Sequence, residues 1–255
     1  MKSKALHNLL VETGELYRFV IKFFHEGFRP KYEVAELLRQ CFYIGNKTLP
    51  LVAVTGFIMG LVITIQSRPS MEAFGAESWL PSVVSISLVR EIVPVITALI
   101  CAGKIGSSMG AELGSMKVTE QIDAMEVAGT NPFKYLVVTR VMAAMLMLPL
   151  LIVLSDTIAL YGAYLGVNMK QVVSFHLFSN QVFGKLTYAD LLPSIIKAVF
   201  FGFAIGIIGS FKGYTTRNGT KGVGRAANSA VVASIFVVFI IDLMAAQIAD
   251  ILNIT

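Results

Sequence analysis

Five long runs of apolar residues follow one another along the chain, separated by shorter polar segments. Their approximate bounds are 49–66, 83–109, 137–167, 191–211 and 230–252. Because a helix needs about 20 apolar residues to cross the hydrocarbon core of a bilayer, each run is long enough to span a membrane once. The third run exceeds one perpendicular crossing, so we expect it to be tilted, kinked near Pro149 or extended beyond the lipid. The pattern predicts an all-α polytopic membrane protein with five transmembrane helices.

The segment 1–47, before the first run, has a different pattern. Its apolar residues recur on one side of a helix, and charged residues occupy the rest of the wheel. The apolar set is Leu6, Leu9, Leu10, Tyr17, Val20, Ile21 and Phe24. This pattern is typical of an amphipathic helix in the lipid headgroup region, and a helix packed on a partner protein would share it. We expect no signal peptide, because Glu12 and Glu15 interrupt any apolar core.

The composition supports a membrane protein and excludes other classes. Of the 255 residues, 55% are hydrophobic and 15% are charged, and the mean hydropathy is +0.72. A soluble domain has about 25% charged residues, which this chain lacks. Cys41 and Cys101, the two cysteines of the sequence, are too few for a disulfide scaffold. The 17 Phe and the many aliphatic residues exclude a disordered chain.

Lysine and arginine are concentrated in alternate connecting segments. Sixteen lie before the first run, between the second and third runs or at the ends of those runs that face each other, or between the fourth and fifth runs, against three on the opposite side. The sixteen are Lys2, Lys4, Arg18, Lys22, Arg29, Lys31, Arg39, Lys47, Lys104, Lys117, Lys134, Arg140, Lys212, Arg217, Lys221 and Arg225, and the three are Arg68, Lys170 and Lys185. Since basic loops stay on the cytoplasmic side, we expect a cytoplasmic N-terminus and an external tail after 252. Topology and anionic lipid account for the net charge of +5, so we expect no nucleic-acid binding.

Motifs for catalysis are incomplete. The nearest approach to a Walker A motif is Gly103-Lys104, but Ile105 follows it and Ala98 stands where the first glycine belongs. Residues 106–110 match the G-x-S-x-G elbow of hydrolases, yet they end a membrane run, and the histidines are His7, His25 and His176. The cysteines and histidines have no metal-site spacing. We therefore expect a non-catalytic protein without metal or cofactor, in which any ATP-driven work uses another chain.

Small residues recur four positions apart within the runs. The pairs are Gly56 and Gly60, Gly106 and Gly110, Gly110 and Gly114, Gly162 and Gly166, and Gly202 and Gly206. This spacing allows helix backbones to approach closely in lipid. It predicts tight bundling or dimerisation.

Ionisable residues inside the runs form a candidate charge network. They are Arg90, Glu91, Asp156, Lys197 and Asp242. Each costs about 2.5–3.5 kcal/mol near the bilayer centre unless it is paired or hydrated. Since adjacent residues point about 100° apart on a helix, Arg90 and Glu91 cannot neutralise each other. We expect Glu91 to meet Lys197 and Arg90 to meet Asp242 or Asp156, either as a lock between helices or as a polar latch near a substrate path.

The segment 111–134 mixes charged and apolar residues between the second and third runs. Thr119 is a plausible N-cap, and the acidic residues that follow it suit the positive end of a helix. Gly129 and Pro132 are typical of a helix end. The pattern predicts a short amphipathic helix that docks in a groove of a partner or lies on the lipid surface.

In the second run and the segment that follows it, the chain resembles the MlaE (YrbE) family of lipid-transporter permeases. The matching segments are 90–99 (REIVPVITAL), 102–107 (AGKIGS), 111–114 (AELG) and 116–124 (MKVTEQIDA), followed by Asn131-Pro132 and Arg140. The central block of about fifty residues carries the resemblance, and the layout of the runs extends it over nearly the whole chain. The resemblance implies an MlaE-type permease fold, with an N-terminal interfacial segment 1–47 and a five-span permease domain 48–255.

The resemblance also implies a function and partners. The chain would be the permease subunit of an ABC transporter of the Mla or mammalian-cell-entry (MCE) type, which moves phospholipid between the inner and outer membranes. Two copies would pair with two cytoplasmic ATPase subunits, with an MCE-domain protein on the periplasmic side and a STAS-domain protein in some systems. The membrane would be a bacterial inner membrane, with a plastid envelope as the alternative.

Roles for individual residues follow from the same resemblance. Segment 112–129 would be the coupling helix, and its docking residues are Glu112, Met116, Glu120, Gln121, Asp123, Glu126 and Gly129. The end of the first run and the residues after it would line the lipid cavity through Ile63, Gln66, Met71 and Phe74. The charged residues Arg90, Glu91, Lys197, Asp242 and Arg225 fit charged positions of the family.

Two other classes of function stay open at this point. A stand-alone secondary transporter or ion channel would use the intramembrane charges as a relay, although the internal repeats common in such proteins are not evident here. A membrane-embedded enzyme would need a nucleophile and base, or a metal set.

Overall fold

The computed structural model describes residues 2–29, 33–217 and 219–251, with side chains from residue 10 onward. Outside the described residues lie the predicted tail after 252 and several side chains discussed above. Those side chains are Lys2, Lys4, Leu6, His7, Leu9 and Lys31.

Ten α-helices make up most of the described chain. They are α1 Lys2–Gly27, α2 Val34–Ala73, α3 Leu80–Ser87, α4 Val93–Cys101, α5 Ser107–Val118, α6 Gln121–Val127, α7 Thr139–Asn168, α8 Phe175–Phe183, α9 Tyr188–Tyr214 and α10 Gly219–Ile251. A 3₁₀ turn, Glu77–Trp79, precedes α3, and the π-helical segments Leu88–Ile92 and Ala102–Gly106 join α3, α4 and α5. A further π-helical segment, Phe133–Val138, leads into α7.

The prediction of five membrane-spanning helices is confirmed. Among the described residues, five helical runs are long and apolar enough to cross a membrane: Val34–Ala73, Glu77–Val118, Phe133–Asn168, Tyr188–Tyr214 and Gly219–Ile251. They correspond in order to the five apolar runs of the sequence. The protein is therefore an all-α polytopic membrane protein.

The first helical run extends well beyond the apolar run that predicted it. It has 40 residues, and at about 1.5 Å per residue it is roughly 60 Å long, about twice the thickness of the hydrocarbon core. The third has 36 residues and stays helical through Pro149, while its tilt or its extension beyond the lipid stays a prediction. Apolar periodicity marks the part of a helix that suits lipid, whereas the helix itself ends where its backbone hydrogen bonds end.

The chain divides into two compact units, and each of the five spans contributes residues to both. Unit 1 comprises Met1–Ile44, Ala102–Ala144 and Phe203–Ile235, and unit 2 comprises Gly45–Cys101, Met145–Gly202 and Phe236–Thr255. Unit 1 contains α1, α5 and α6, and unit 2 contains α3, α4 and α8.

Within unit 1, α1 has two apolar faces where the sequence pattern predicted one. The ring centroid of Phe19 lies 4.9 Å from that of Phe133 and 5.4 Å from that of Phe211, and Phe23 is also buried. This face, absent from the predicted stripe, attaches α1 to its own chain. The stripe on the other side is exposed at Leu10, Tyr17, Ile21 and Phe24. Its location in the headgroup region stays a prediction.

Within unit 2, glycines bring the backbones of α2 and α7 into contact. A Cβ atom built on Gly60 would lie 1.9 Å from the carbonyl oxygen of Ala159, and one on Gly162 would lie 2.3 Å from that of Phe57. A side chain at either position would therefore force the two helices apart. The close approach predicted from the glycine spacing is confirmed for these two helices.

We expect Gly60→Ala to destabilise the protein, although alanine is ordinarily the better helix former by about 1 kcal/mol. The added methyl group has to displace backbone rather than a flexible side chain, and such overpacking costs about 1–3 kcal/mol. The measurement is the melting temperature of the purified chain in detergent. Gly103→Ala is the matched control, because a Cβ at Gly103 meets nothing within 4 Å. Equal melting temperatures for the two variants would contradict the predicted contact.

Candidate functional site

Lys197 is the centre of a charge group in unit 2. Its ammonium donates to Oε2 of Glu91 at 2.8 Å, to Oδ1 of Asp242 at 3.0 Å and to the carbonyl oxygen of Arg90 at 3.0 Å. An ammonium has three protons, and each has an acceptor here. The Lys197 side chain is 3% exposed, against 40% for Glu91 and 21% for Asp242. Residues of the second, fourth and fifth spans therefore meet at one buried cation, and Glu91 pairs with Lys197 as expected.

The prediction that Arg90 meets Asp242 or Asp156 was wrong. Its guanidinium lies 4.0 Å from Oδ1 of Asp190 near the start of α9, whereas Asp242 is a partner of Lys197. Arg90 and Glu91 are adjacent in the π-helical segment Leu88–Ile92, so their side chains diverge and meet different acidic residues. Asp190 also accepts a hydrogen bond from the backbone N–H of Thr187 at 2.9 Å. A capping-box pattern, Thr187 followed three residues later by an acidic residue, is the sequence signal that could have identified it.

Asp156 does not join this group either. It is 8% exposed, and its Oδ1 atom is buried without a hydrogen-bond partner among the described residues. It lines an apolar cleft of about 370 Å³ together with Thr157, Tyr161 and Phe178. Of the five ionisable positions, three form the Lys197 group, Arg90 pairs with Asp190, and Asp156 has no ion pair among the described residues, so they do not form one network.

The predicted docking helix is present in unit 1 as α6. Gly129, at φ +78°, follows it, and Thr130 donates its N–H to the carbonyl of Met125 at 3.0 Å while Gly129 donates to that of Glu126 at 3.0 Å. These two bonds form a Schellman motif, which requires a left-handed residue at this position. The helix end predicted at Gly129 is confirmed.

The start of α6 differs from the prediction. Thr119 is not its N-cap, because its hydroxyl donates to the carbonyl of Ser115 at 2.9 Å and it ends α5. Glu120 occupies the N-cap position in the left-handed conformation, at φ +58°. Because two residues join α5 to α6, one of them has to end the first helix and the other has to turn the chain.

Two apolar residues and one ion pair attach α6 to the rest of unit 1. Ile122 is 1% exposed and packs in a cluster with Leu113 and Leu136, and the half-buried Met125 packs against the same cluster. Asp123 pairs with Lys117 at 2.7 Å. Most of the other surface of α6 is exposed, and Val127 is 91% exposed. The predicted docking residues on this surface are Glu120, Gln121, Asp123, Glu126 and Gly129. This arrangement presents acidic and apolar groups on a fixed, short helix.

The other two predicted docking residues face the chain itself. Met116 is partly buried against the Ile122 cluster. Glu112 accepts hydrogen bonds from the hydroxyls of Tyr43 and Ser108, both at 3.1 Å, and lies 3.4 Å from the guanidinium of Arg140. Glu112 therefore connects α2, α5 and α7, and its role in docking stays a prediction.

The predicted lipid-cavity residues lie in two different environments of unit 2. Ile63 and Met71 pack against a buried cluster that includes Leu80, whereas Gln66 and Phe74 are exposed, Phe74 at 82%. The structure thus places two of the four, half-buried, at the edge of the protein core. Their contact with lipid stays a prediction.

A buried arginine adjoins these residues and had no predicted role. Arg68 is 5% exposed and donates to the carbonyl oxygens of Gly166 at 2.7 Å and Val167 at 2.9 Å. It thereby satisfies carbonyl groups at the end of α7, where a cation also interacts favourably with the helix dipole. A basic residue just after the first apolar run and just before Pro69 is the available sequence signal.

We expect Lys197→Met to destabilise the protein strongly. The substitution leaves the carboxylates of Glu91 and Asp242 without their shared cation, and removing one partner of a buried ion pair costs about 3–5 kcal/mol. Thermal melting in detergent measures the loss, with the exposed Lys170→Met as the control. The triple variant Lys197→Met, Glu91→Gln and Asp242→Asn should regain most of the stability. A melting temperature for Lys197→Met equal to that of the control would show that the group is not a stabilising one.

Comparison with known proteins identifies the family. The family model described as Permease MlaE matches residues 37–248. A probable ABC transporter permease protein of Rickettsia typhi is 41% identical over 212 residues, which cover 83% of this chain and 82% of the relative. A probable ABC transporter permease protein of Synechocystis is 38% identical over 203 residues, covering 80% and 77%.

A plant protein is also similar. The protein TRIGALACTOSYLDIACYLGLYCEROL 1, chloroplastic, of Arabidopsis thaliana is 34% identical over 205 residues, which cover 80% of this chain and 59% of the relative. The family match includes all five spans, the Lys197 charge group and α6. The chain therefore belongs to the MlaE family and is an ABC transporter permease.

Proposed function

We propose that this chain is the membrane-spanning subunit of an ATP-driven transporter that moves phospholipid between the inner and outer membranes. A separate cytoplasmic ATPase would supply the energy. The observation that carries the proposal is α6, a short helix with a buried anchor and an exposed surface of acidic and apolar side chains, in a chain whose relatives are named ABC transporter permeases.

The geometry of α6 suits the transmission of force from an ATPase. A seven-residue helix is too short to be stable by itself, so its position depends on Ile122, Met125 and the Lys117–Asp123 pair, and on the two-residue connection to α5. A partner that binds Val127 and the acidic side chains would therefore transmit its movement to α5. The run Glu77–Val118, to which α5 belongs, also contains Arg90 and Glu91, so one continuous helical run carries both the docking end and part of the Lys197 charge group.

Lipid is the proposed cargo because unit 2 offers apolar clefts next to its charge group. A cleft of about 380 Å³ between α9 and α10 contains Lys197 and is otherwise lined by apolar side chains, among them Ile196, Phe200, Met244 and Ile248. Such a lining favours acyl chains over polar solutes. The name of the Arabidopsis relative contains that of a glycolipid, trigalactosyldiacylglycerol, which also agrees with a lipid cargo.

The proposed assembly has two copies of this permease and two ATPase subunits, an MCE-domain protein on the periplasmic side and, in some systems, a STAS-domain protein. The lipid cavity would lie between the two permeases, with Ile63, Gln66, Met71 and Phe74 at its wall. The distribution of basic residues favours a cytoplasmic N-terminus and a periplasmic C-terminus in a bacterial inner membrane. Segment 1–47 would lie at the membrane surface and 48–255 would form the permease domain.

A stand-alone secondary transporter or ion channel is the second candidate function. The observation that favours it is the buried Asp156, whose Oδ1 lacks a partner among the described residues. An unpaired carboxyl group inside a span is expensive and is often part of an ion pathway. The two functions differ in a property that can be measured, since a secondary transporter needs no ATPase.

We expect the double substitution Glu120→Lys and Asp123→Lys to uncouple the permease from its ATPase. It reverses the charge of the exposed α6 surface and removes the exposed Lys117–Asp123 ion pair. It leaves Ile122 and Met125 in place, so the bundle should stay folded. The measurements are the amount of ATPase that copurifies with the tagged chain and lipid-stimulated ATP hydrolysis, and both should fall about tenfold or more, since a lost charged hydrogen bond costs about 1.5–3 kcal/mol.

The matched control is Glu72→Lys with Asp250→Lys, two exposed acidic residues outside α6. This control should copurify with as much ATPase as the natural chain. Unchanged copurification and unchanged hydrolysis in the α6 variant would overturn the assignment of α6 as the coupling helix.

A further inference from the structure

A basic cleft lies in unit 1, next to α6, since Lys117 of its wall pairs with Asp123. Its volume is about 500 Å³. Arg18 and Lys22 on α1, Lys117 on α5 and Arg217 after α9 contribute four cations to its wall, and Glu15 contributes the single acidic side chain of the lining. The net formal charge of the lining is therefore +3, which favours an anionic ligand.

Two of the four cations have a partner within the chain, and the other two have none among the described residues. Lys117 pairs with Asp123 at 2.7 Å, and the ammonium of Lys22 lies 4.5 Å from the ring centroid of Phe133. Among the described residues, Arg18 and Arg217 have neither an ion pair nor a side-chain hydrogen bond, although both line the cleft. Two guanidinium groups with free donors are well suited to phosphate, which they bind through paired hydrogen bonds.

The rest of the lining consists of three aromatic residues and the threonines Thr215 and Thr216. Phe19, Phe211 and Tyr214 line it, and their rings pack together, with centroids 5.4 Å apart for Phe19 and Phe211 and 6.1 Å apart for Phe19 and Tyr214. A ligand that fits this cleft therefore combines a phosphate group with an apolar portion. Inorganic phosphate would leave the aromatic wall without a contact.

The cleft also adjoins the exposed apolar stripe of α1. At about 100° per residue, Arg18 and Lys22 fall on the flank of α1 between the stripe, represented by Tyr17 and Ile21, and the buried face that contains Phe19. A lipid whose acyl chains lie along the stripe can therefore place its headgroup in the cleft. Basic pockets of this kind on the cytoplasmic side of membrane proteins bind anionic headgroups.

We propose that this cleft binds the headgroup of an anionic phospholipid, with Arg18 and Arg217 as the phosphate ligands. The site holds α1 on the membrane surface through a bound lipid. Its test needs no ATPase, so failure of this proposal and failure of the proposed transport function are distinguishable.

Native mass spectrometry of the purified full chain in a neutral detergent tests the site. Phosphatidylglycerol and phosphatidylcholine with the same acyl chains are titrated, and the bound fraction gives an apparent Kd for each. We expect phosphatidylglycerol to bind more tightly. In the double variant Arg18→Gln and Arg217→Gln its affinity should fall about thirtyfold, because each basic residue near a membrane contributes about a fivefold factor. Arg18→Lys with Arg217→Lys should retain most of the affinity.

A charge-matched control separates the cleft from a general charge effect. Arg29→Gln with Arg39→Gln removes the same two charges from exposed positions of unit 1 outside the cleft, and should change the affinity less than twofold. Equal losses in the two double variants, or equal binding of the two lipids by the natural chain, would overturn the proposal. Competition by glycerol 3-phosphate at the affinity of the lipid would overturn it too, since the ligand would then be a soluble phosphate ester.

Discussion

The ammonium of Lys197 imposes the strictest constraint on this protein. It is buried in a span, and its three protons are accepted by Glu91, Asp242 and the carbonyl of Arg90. Because a charge inside a membrane is costly unless its partners are close, the second, fourth and fifth spans have to keep these groups within hydrogen-bond distance. A movement of one span relative to the others requires that a proton of Lys197 change its acceptor. The same group can therefore lock the helices or act as a latch between two arrangements.

The backbone imposes a second constraint, which glycine and arginine meet in different ways. Gly60 and Gly162 allow the backbones of α2 and α7 to touch, and this contact leaves no space for a side chain. At the end of α7, Arg68 supplies the hydrogen-bond donors that the last carbonyl groups need. Both solutions depend on the rule that polar backbone groups in a membrane protein are satisfied within the protein.

Much of this architecture could be predicted from the sequence, because in lipid the cost of polar groups is high. Apolar run length was sufficient to count the spans, and the cost of a buried charge was sufficient to pair Glu91 with Lys197.

The partner of Arg90 could not be predicted, because the π-helical segment changes the direction of its side chain and periodicity does not reveal such a segment. The prediction of Thr119 as the N-cap of α6 was wrong for a similar reason. In a two-residue turn, only the three-dimensional geometry decides which residue ends the first helix and which one caps the second. The second face of α1 was missed because Phe19 and Phe23 contact residues that are distant in sequence.

The proposed function requires a separate ATPase and a phospholipid cargo. The most direct measurement is gentle purification of the tagged natural chain from its own host, followed by mass spectrometry of the bound proteins and lipids. We expect an ABC ATPase and an MCE-domain protein in the complex, together with phospholipid. A chain that carries no ATPase, under conditions that keep other ABC complexes intact, would contradict the proposed function and would favour an ion-coupled transporter.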